Sequence, residues 1–480
     1  MTEDRYGAAV HELGTSKLRN IAPMAPAAQK SRPPRRKQWR RAPRAVYVRL
    51  GKGTRSMLIK KRLHRDEVFI AGGQPTVTYV DRQEAHVERN VARAIASPNQ
   101  VVSVAGPSKS GKTVLCRKIL GDREYVWIDG GEVDGIASMW DGIAAELNLP
   151  SEITTSDETS TTAETGLSAA TFVSAKGSKL RKRAATEKRQ IRSMSEALDK
   201  MIEDKIILVV DDFHYLSPDD RTAFMRNVKG AVFNGLKVLL LSVTHRVFDA
   251  IKAESELTGR FVSIALPEWT PAELGQIPAL GFKALGINYK SDLPDRLAHE
   301  AQGSPFLMQK FCWEVCFDLG IEHAATTFLG SSRIPESYDF ESMFVRLAKD
   351  AGLPIYQRLV AGPQSRKVRT KRPLRSGGEA DIYQAMLLAL AETGPKPSIS
   401  YEELRTSLNA LLIEMMPQKH EITSALKHLA NIAMKSGSEA AIDWDDGKRE
   451  VNLSDPYLRF YLRWQVRSRR KRETPLLSLE

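Results

Sequence analysis

Along this 480-residue chain, apolar positions come in two habits: unbroken runs of strand length and stripes at helical spacing. The runs are Val101, Val102 and Val104, then "YVWID" (125–129), "IILVV" (206–210), "KVLLLSVTHR" (237–246) and "RFVSIALPEW" (260–269). Unbroken runs suit strands covered on both faces. Between them, Val114 to Leu120, "GIASMWDGIAAELNL" (135–149) and Ser193 to Glu203 have helical spacing. "LSPDD" starts another helix, with Ser217 as N-cap, Pro218 in its first position and Asp219 and Asp220 at the positive end of its dipole. Strands alternating with helices predict an α/β fold built on a parallel sheet. Upstream, "EVFIAGGQPTVTYVDRQEAHVERNVARAIASPN" reads as a short strand, a glycine turn and an amphipathic helix.

The pattern changes twice further on. Thr270 to about Gly320 is purely helical, as suits a small lid beside the sheet, and a linker over 331–378 ends in the basic "AGPQSRKVRTKRPLRSGG". Then "ADIYQAMLLALAETG", "SYEELRTSLNALL" with a capping box of Ser400 and Glu403, and "HEITSALKHLANIAMK" with an apolar stripe of Ile422, Leu426, Leu429 and Ala433 predict three helices. "AAIDWDDGKREVNL" predicts a hairpin turning at Asp446-Gly447, and three helices plus a hairpin resemble a winged helix. The predicted domains are a basic disordered tail (1–65), an α/β core (66–268), a lid (269–330), the linker (331–378), a winged-helix-like domain (379–466) and a second basic tail (467–480). The Ser/Thr-rich stretch 151–192 is a surface insertion of the core, with a hairpin around Ala170 to Ser174.

Charge changes this picture at the ends. Seventeen Lys and Arg, and no Asp or Glu, lie between Lys17 and Arg65, while the whole chain carries +13, so the rest is net negative by four. Proline-interrupted and poor in apolar residues, the tail cannot build a core, but it can neutralise phosphates and bind nucleic acid without reading sequence. An acidic protein is the competing partner. No apolar run reaches the roughly 18–20 residues of a membrane helix, and the N-terminus has no apolar stretch of a secretory signal. Three cysteines make no disulfide framework; Cys312 and Cys316 are expected as core residues in a reducing compartment, the cytoplasm.

The chemistry concentrates in "VVSVAGPSKSGKT". Gly106, Pro107, Ser108, Lys109, Ser110, Gly111, Lys112 and Thr113 spell G-x-x-x-x-G-K-[ST] between a strand and a helix. Glycines let backbone N–H groups turn inward onto phosphate oxygens, Lys112 reaches the outer phosphates, and the Thr113 hydroxyl holds Mg²⁺. Asp211 at the end of "IILVVDD" completes the Mg²⁺ ligands, and Asp212 is placed to orient or deprotonate an attacking water. Thr244 and Arg246 end the neighbouring strand as candidate γ-phosphate sensors, against a capping Thr and an ordinary surface Arg. Arg260 in "ELTGRF" is a candidate finger acting across a subunit boundary; His214 reads as structural.

Together with Gly303-Ser304-Pro305 on the lid, these motifs resemble the STAND class of signal-transduction ATPases, relatives of the AAA+ fold. "DPYLRFYLRW" (455–464) is similar to the segment after the winged helix in archaeal-type ATPases of that group. The resemblance runs from about Gly73 to Trp464. It implies an AAA+/STAND-like P-loop NTPase fold with ATP as the nucleotide, a protein trigger and a nucleotide-dependent oligomer. It also implies a slowly hydrolysing regulatory or defence switch; Asp212, where many such ATPases have Glu, is one methylene shorter and favours low turnover. His245 departs from the small hydroxyl residue usual there, and no sensor repeat is present. A DNA-assembled loader, initiator or transposition-helper ATPase is the alternative. The third helix offers Lys427, His428, Asn431 and Lys435 but no Arg, and Asp443, Asp445 and Asp446 on the wing repel phosphate, so a clamp or protein contact is expected of this domain.

Overall fold

The computed structural model describes residues 62–83, 85–149, 194–243, 259–325, 332–365, 368–413, 415–435 and 441–468. The insertion with its hairpin, the tail before Arg62, the end after Ser468, and Thr244 and Arg246 lie outside the described residues. The described part belongs to one compact unit.

Helix α1 (Arg65–Val68) comes first, a single turn where the sequence predicts a strand. A capping box decides this: the His64 side chain accepts from Asp66 N–H, Glu67 reaches back to the His64 N–H, and Val68 and Phe69 are buried. Then follow α2 (Val87–Ala96), β1 (Val101–Ala105), α3 (Lys112–Leu120), β2 (Tyr125–Asp129), α4 (Gly135–Glu146), α5 (194–203), β3 (Ile207–Asp211), α6 (Pro218–Phe233), β4 (Lys237–Ser242) and β5 (Phe261–Ala265). Ser217 caps α6 as predicted, accepting from Asp220 N at 3.1 Å.

All five strands are parallel, in the order β2-β3-β4-β1-β5. Strand alternation divides their side chains between two cores. Val126, Leu208, Val210, Val238 and Leu240 pack against α4, α5 and α6; Val102, Val104, Val209, Leu239 and Leu241 pack against α2 and α3. The chain after β1 passes over β4 and β3 to reach β2, which opens a crevice at the carboxyl ends of these strands.

The lid comprises α7 (Pro271–Leu285), α8 (Leu293–Glu300) and α9 (Pro305–Asp318). It is not purely helical: β6 (Ile287–Asn288) pairs in parallel with β7 (Ser332–Arg333). Its core includes Val68, Phe69 and both Cys312 and Cys316, fully buried as expected. The predicted linker is largely structured. It holds α10 (Phe340–Ala361), whose Phe340, Met343 and Phe344 enter the lid core while Leu359 enters the C-terminal core, and the strands β8 (Arg372–Pro373) and β9 (Glu379–Ala380). Apolar spacing in "FESMFVRLAKDAGLPIYQRLVA" carries that helix.

The C-terminal domain has the three predicted helices, α11 (Ile382–Glu392), α12 (Tyr401–Leu411) and α13 (Lys419–Lys435), with β10 (Ser398–Ser400), β11 (Asp443–Asp445) and β12 (Glu450–Asn452). The three strands form an antiparallel sheet in the order β10-β12-β11. The hairpin turn takes four residues because Asp445 pairs with Glu450, and Arg449, not Gly447, adopts the left-handed conformation (φ 56°). Ile422, Leu426, Leu429 and Ala433 are buried as one stripe. Helix α14 (Pro456–Tyr461) and a π-helical turn (Leu462–Arg467) follow. Among the described residues, no helix is long and apolar enough to cross a membrane.

Candidate functional site

The loop after β1 turns through the left-handed region twice, at Lys109 (φ 55°) and Gly111 (φ 90°). Glycine tolerates that conformation; at Lys109 it is a local strain. Gly106 is needed for close approach, since a Cβ there would sit 2.9 Å from that of Leu266. Helix α3 then points its N-terminal end into the loop.

Ser108, Ser110 and Lys112 are buried beneath this turn. Lys112 Nζ donates to the carbonyls of Gly106 (3.1 Å) and Pro107 (2.9 Å), which holds its charge over the loop. Ser110 Oγ is buried without a hydrogen-bond partner. A buried lysine, an orphaned hydroxyl and a helix N-terminus together suit phosphate oxygens.

Beside the loop, Thr113 Oγ1 donates to Asp211 Oδ2 at 2.9 Å, and Asp212 N donates to Asp211 Oδ1 at 3.0 Å. Burial pushes the Asp211 carboxyl above its ordinary value, against the hydrogen bonds from Thr113 and Asp212 N–H and the Lys112 charge, which pull it down. A hydroxyl and a carboxylate are hard oxygen donors of the kind Mg²⁺ takes. Asp212 has a left-handed backbone (φ 48°), and a Cβ on Gly130 would lie 2.8 Å from its carbonyl oxygen, so the turn after β3 rests on that glycine.

Ser108 to Thr113 and Asp212 border a cavity of about 630 Å³, and Asp211 joins it through its hydrogen bond from Thr113. Its other walls are the segment 70–82, Pro305, Phe306 and Gln309 of the lid, and Asp455. Ser304 caps α9 with Pro305 in the first turn, so Gly303-Ser304-Pro305 is the helix start that aims Pro305 and Phe306 at the cavity. Arg82 ties the far wall together. It pairs with Glu273 (2.9 Å), donates to the carbonyls of Pro267 and Glu268 and lies over the Trp269 ring, whose Nε1 donates to Ser110 O at 2.8 Å. Burial raises the Glu273 pKa, but Arg82 and the Thr270 cap hold the carboxyl below its ordinary value.

Of the sequence-predicted residues, Gly106 to Thr113, Asp211 and Asp212 converge here. Lys109 meets another wall of the cavity, with Nζ 3.4 Å from Asp455 Oδ1 and 4.5 Å from the centre of the Tyr457 ring. Arg260 stacks on Phe233 at 4.6 Å, just before β5, at the end of the sheet opposite the loop. It has no access to this chain's own site. The sequence reading missed Arg82, Trp269, Gln309 and Asp455; only "DPYLRFYLRW", a dense aromatic and charged run, signalled the last of them.

No family model matches the chain, and no curated protein matches it. Solved structures similar to it include the Walker-type ATPase of Pyrococcus abyssi (TM-score 0.48, 13% identity, 80% of this chain and 96% of that one). Cdc6p of Pyrobaculum aerophilum (0.37, 14%, 85% and 98%) and Aeropyrum pernix Orc1 in complex with DNA (0.42, 13%, 84% and 97%) are two more. This chain's own strand order, phosphate loop and strand-end acid make its fold a P-loop NTPase fold.

Proposed function

We propose that this chain is an ATP-binding, slowly hydrolysing P-loop ATPase that works as a nucleotide-controlled switch between its α/β core and its winged-helix-like C-terminal domain. The loop backbone and Lys112 bind the phosphates, and Thr113 and Asp211 hold Mg²⁺, which neutralises charge on them when bound. Asp212 orients the attacking water and takes its proton. Thr244 and Arg246 remain the proposed sensors of the γ-phosphate.

The observation that carries the switch is Lys109, a phosphate-loop residue held by Asp455 and Tyr457 from the C-terminal segment. Phosphates compete with Asp455 for that cation, so occupancy of the loop and position of the C-terminal domain are linked. With side chains 32% and 12% exposed, the pair contributes about 1 kcal/mol, roughly a fivefold bias. It tunes the equilibrium, and contacts of the lid with the nucleotide must supply the rest.

The test is ATP turnover by the purified protein with and without duplex DNA, using Lys112→Ala as the blank, together with small-angle scattering in ATP-analogue and ADP states. The switch requires slow turnover indifferent to DNA and a nucleotide-dependent change in scattering that Asp455→Asn shifts. Identical scattering in all states sinks it. A second reading, an ATPase assembled on DNA through its basic tails, draws support from Arg260 at the rim of the sheet, where it suits only a neighbour's site. Strong DNA stimulation lost in Arg260→Ala would select that reading.

A further inference from the structure

A second constellation lies on the lid, apart from the nucleotide cavity. Leu63, His64 and Arg65 meet the loop after α9 as an antiparallel bridge: Arg65 N donates to Glu322 O (2.8 Å) and Ala324 N to Leu63 O (2.9 Å), with His64 opposite His323. The backbone thereby fixes three side chains of one chemistry. One ligand atom from each of His64, Glu322 and His323 lies within 4.8 Å of the others, and the two imidazole rings meet edge to face at 4.8 Å.

We propose that His64, His323 and Glu322 form a binding site for a borderline divalent cation of the Zn²⁺ class, with water completing the shell. Two imidazoles and one carboxylate are donors such an ion prefers, whereas the Thr113 and Asp211 oxygens suit Mg²⁺. Ligand atoms in a tetrahedral zinc site are about 3.4 Å apart, which follows from metal–ligand bonds of about 2.0–2.1 Å. Closing the cluster brings ligand atoms nearer by up to about 1.4 Å through side-chain rotation, and both Glu322 and His323 are exposed enough to make it.

The surroundings of His64 strengthen the assignment. Its Nδ1 lies 3.2 Å from Asp66 Oδ2, and that carboxylate is itself fixed by the Trp313 indole N–H at 2.7 Å. Nδ1 accepts the Asp66 N–H as the cap of α1; an ion on the other ring nitrogen would move the proton to Nδ1 and exchange that cap for donation to the Asp66 carboxylate, the carboxylate–imidazole–metal relay that orients ligating histidines. The ion would staple the end of the basic stretch, Arg62 to Arg65, onto the lid.

Equilibrium dialysis of the full chain with Zn²⁺, with Mg²⁺ as control, tests this. Saturable one-to-one binding in the micromolar range is expected, weakened about tenfold or more in His323→Ala and Glu322→Gln. Both residues are exposed, so these variants fold, and His64→Asn keeps a capping side chain. Hydrogen exchange should slow at the Arg65 and Ala324 amides on adding Zn²⁺ in the native chain alone. Binding unchanged in the His64→Asn/His323→Ala double variant, or no saturable binding in that range, overturns the proposal. Neither result depends on ATP turnover, so this site and the nucleotide switch stand or fall separately.

Discussion

Single residues at the nucleotide site divide into those that make contacts and those that make room. Lys112 makes contacts, so Lys112→Ala should remove ATP binding in a calorimetric titration while the thermal midpoint stays near that of the native chain. Gly130 makes room. Gly130→Ala forces a Cβ against the Asp212 carbonyl, and the turn bearing the proposed water-positioning acid must shift. Turnover should fall with nucleotide affinity preserved, at a stability cost of about 1–3 kcal/mol. Asp211 links pH to both properties. Because burial raises its folded pKa above the unfolded value of 3.8, its contribution favours folding below that value and is lost as pH rises through the folded pKa. Asp211→Asn should therefore be at least as stable as the native chain at neutral pH, yet lose Mg²⁺-dependent ATP binding. In the native chain that binding should weaken on acidification before ordinary carboxylates titrate.

Elements are held to one another by a few polar ties across apolar seams. Arg82, nearly buried and paired with Glu273, is one tie between the segment 70–82 and the lid, beside the Gln309 hydrogen bonds to Ile70 and Thr78. Arg82→Ala leaves the half-buried Glu273 carboxylate to the Thr270 cap alone, so it should cost about 1–3 kcal/mol, and the Arg82→Ala/Glu273→Ala double variant less than the sum. Denaturant unfolding of the four proteins measures this. Trp269→Phe removes one hydrogen bond to Ser110 O, worth about 1 kcal/mol, and should loosen the phosphate loop with little global effect. Helix α13 behaves as an internal element: Lys427 pairs with Asp446, and His428 Nδ1 lies 2.8 Å from the Tyr383 hydroxyl. Two of its basic residues, Lys427 and His428, therefore have partners within the domain, while Lys419 and His420 are exposed.

At the scale of the molecule, the core and C-terminal domain touch the same loop from opposite sides. The core supplies β1 and α3, and the C-terminal segment supplies Asp455 and Tyr457 to Lys109. Arg459 adds to that seam, buried and donating to Gln302 O at 2.8 Å, just before the glycine that starts the lid helix. Burial lowers its pKa, a cost tolerated where domains must register against each other. Nucleic-acid association belongs to this scale too. If the stretch Lys17 to Arg65 grips phosphates, DNA affinity should fall steeply with salt, by about 0.9 log units per neutralised phosphate for each decade. Deleting residues 1–61 should flatten that slope, as filter binding would show.

Where local chemistry decides structure, the sequence was sufficient. The phosphate loop, the strand runs, the Ser217 cap and the α13 stripe are legible because spacing, backbone freedom and capping act within a few residues. Asp211 beside Thr113 was legible as well, since an acid at the end of a buried strand has few other places to go. Short segments were not. Arg65–Val68 became a helical turn because a capping box and the lid core outweighed its strand-like run, and the linker became a helix because two cores share its apolar faces. Only the tertiary structure could bring Asp455 to Lys109, Arg82 to Glu273 and His323 to His64. Such pairs are set by how domains pack, a balance of apolar burial summed over the whole chain, and no local pattern records their partners.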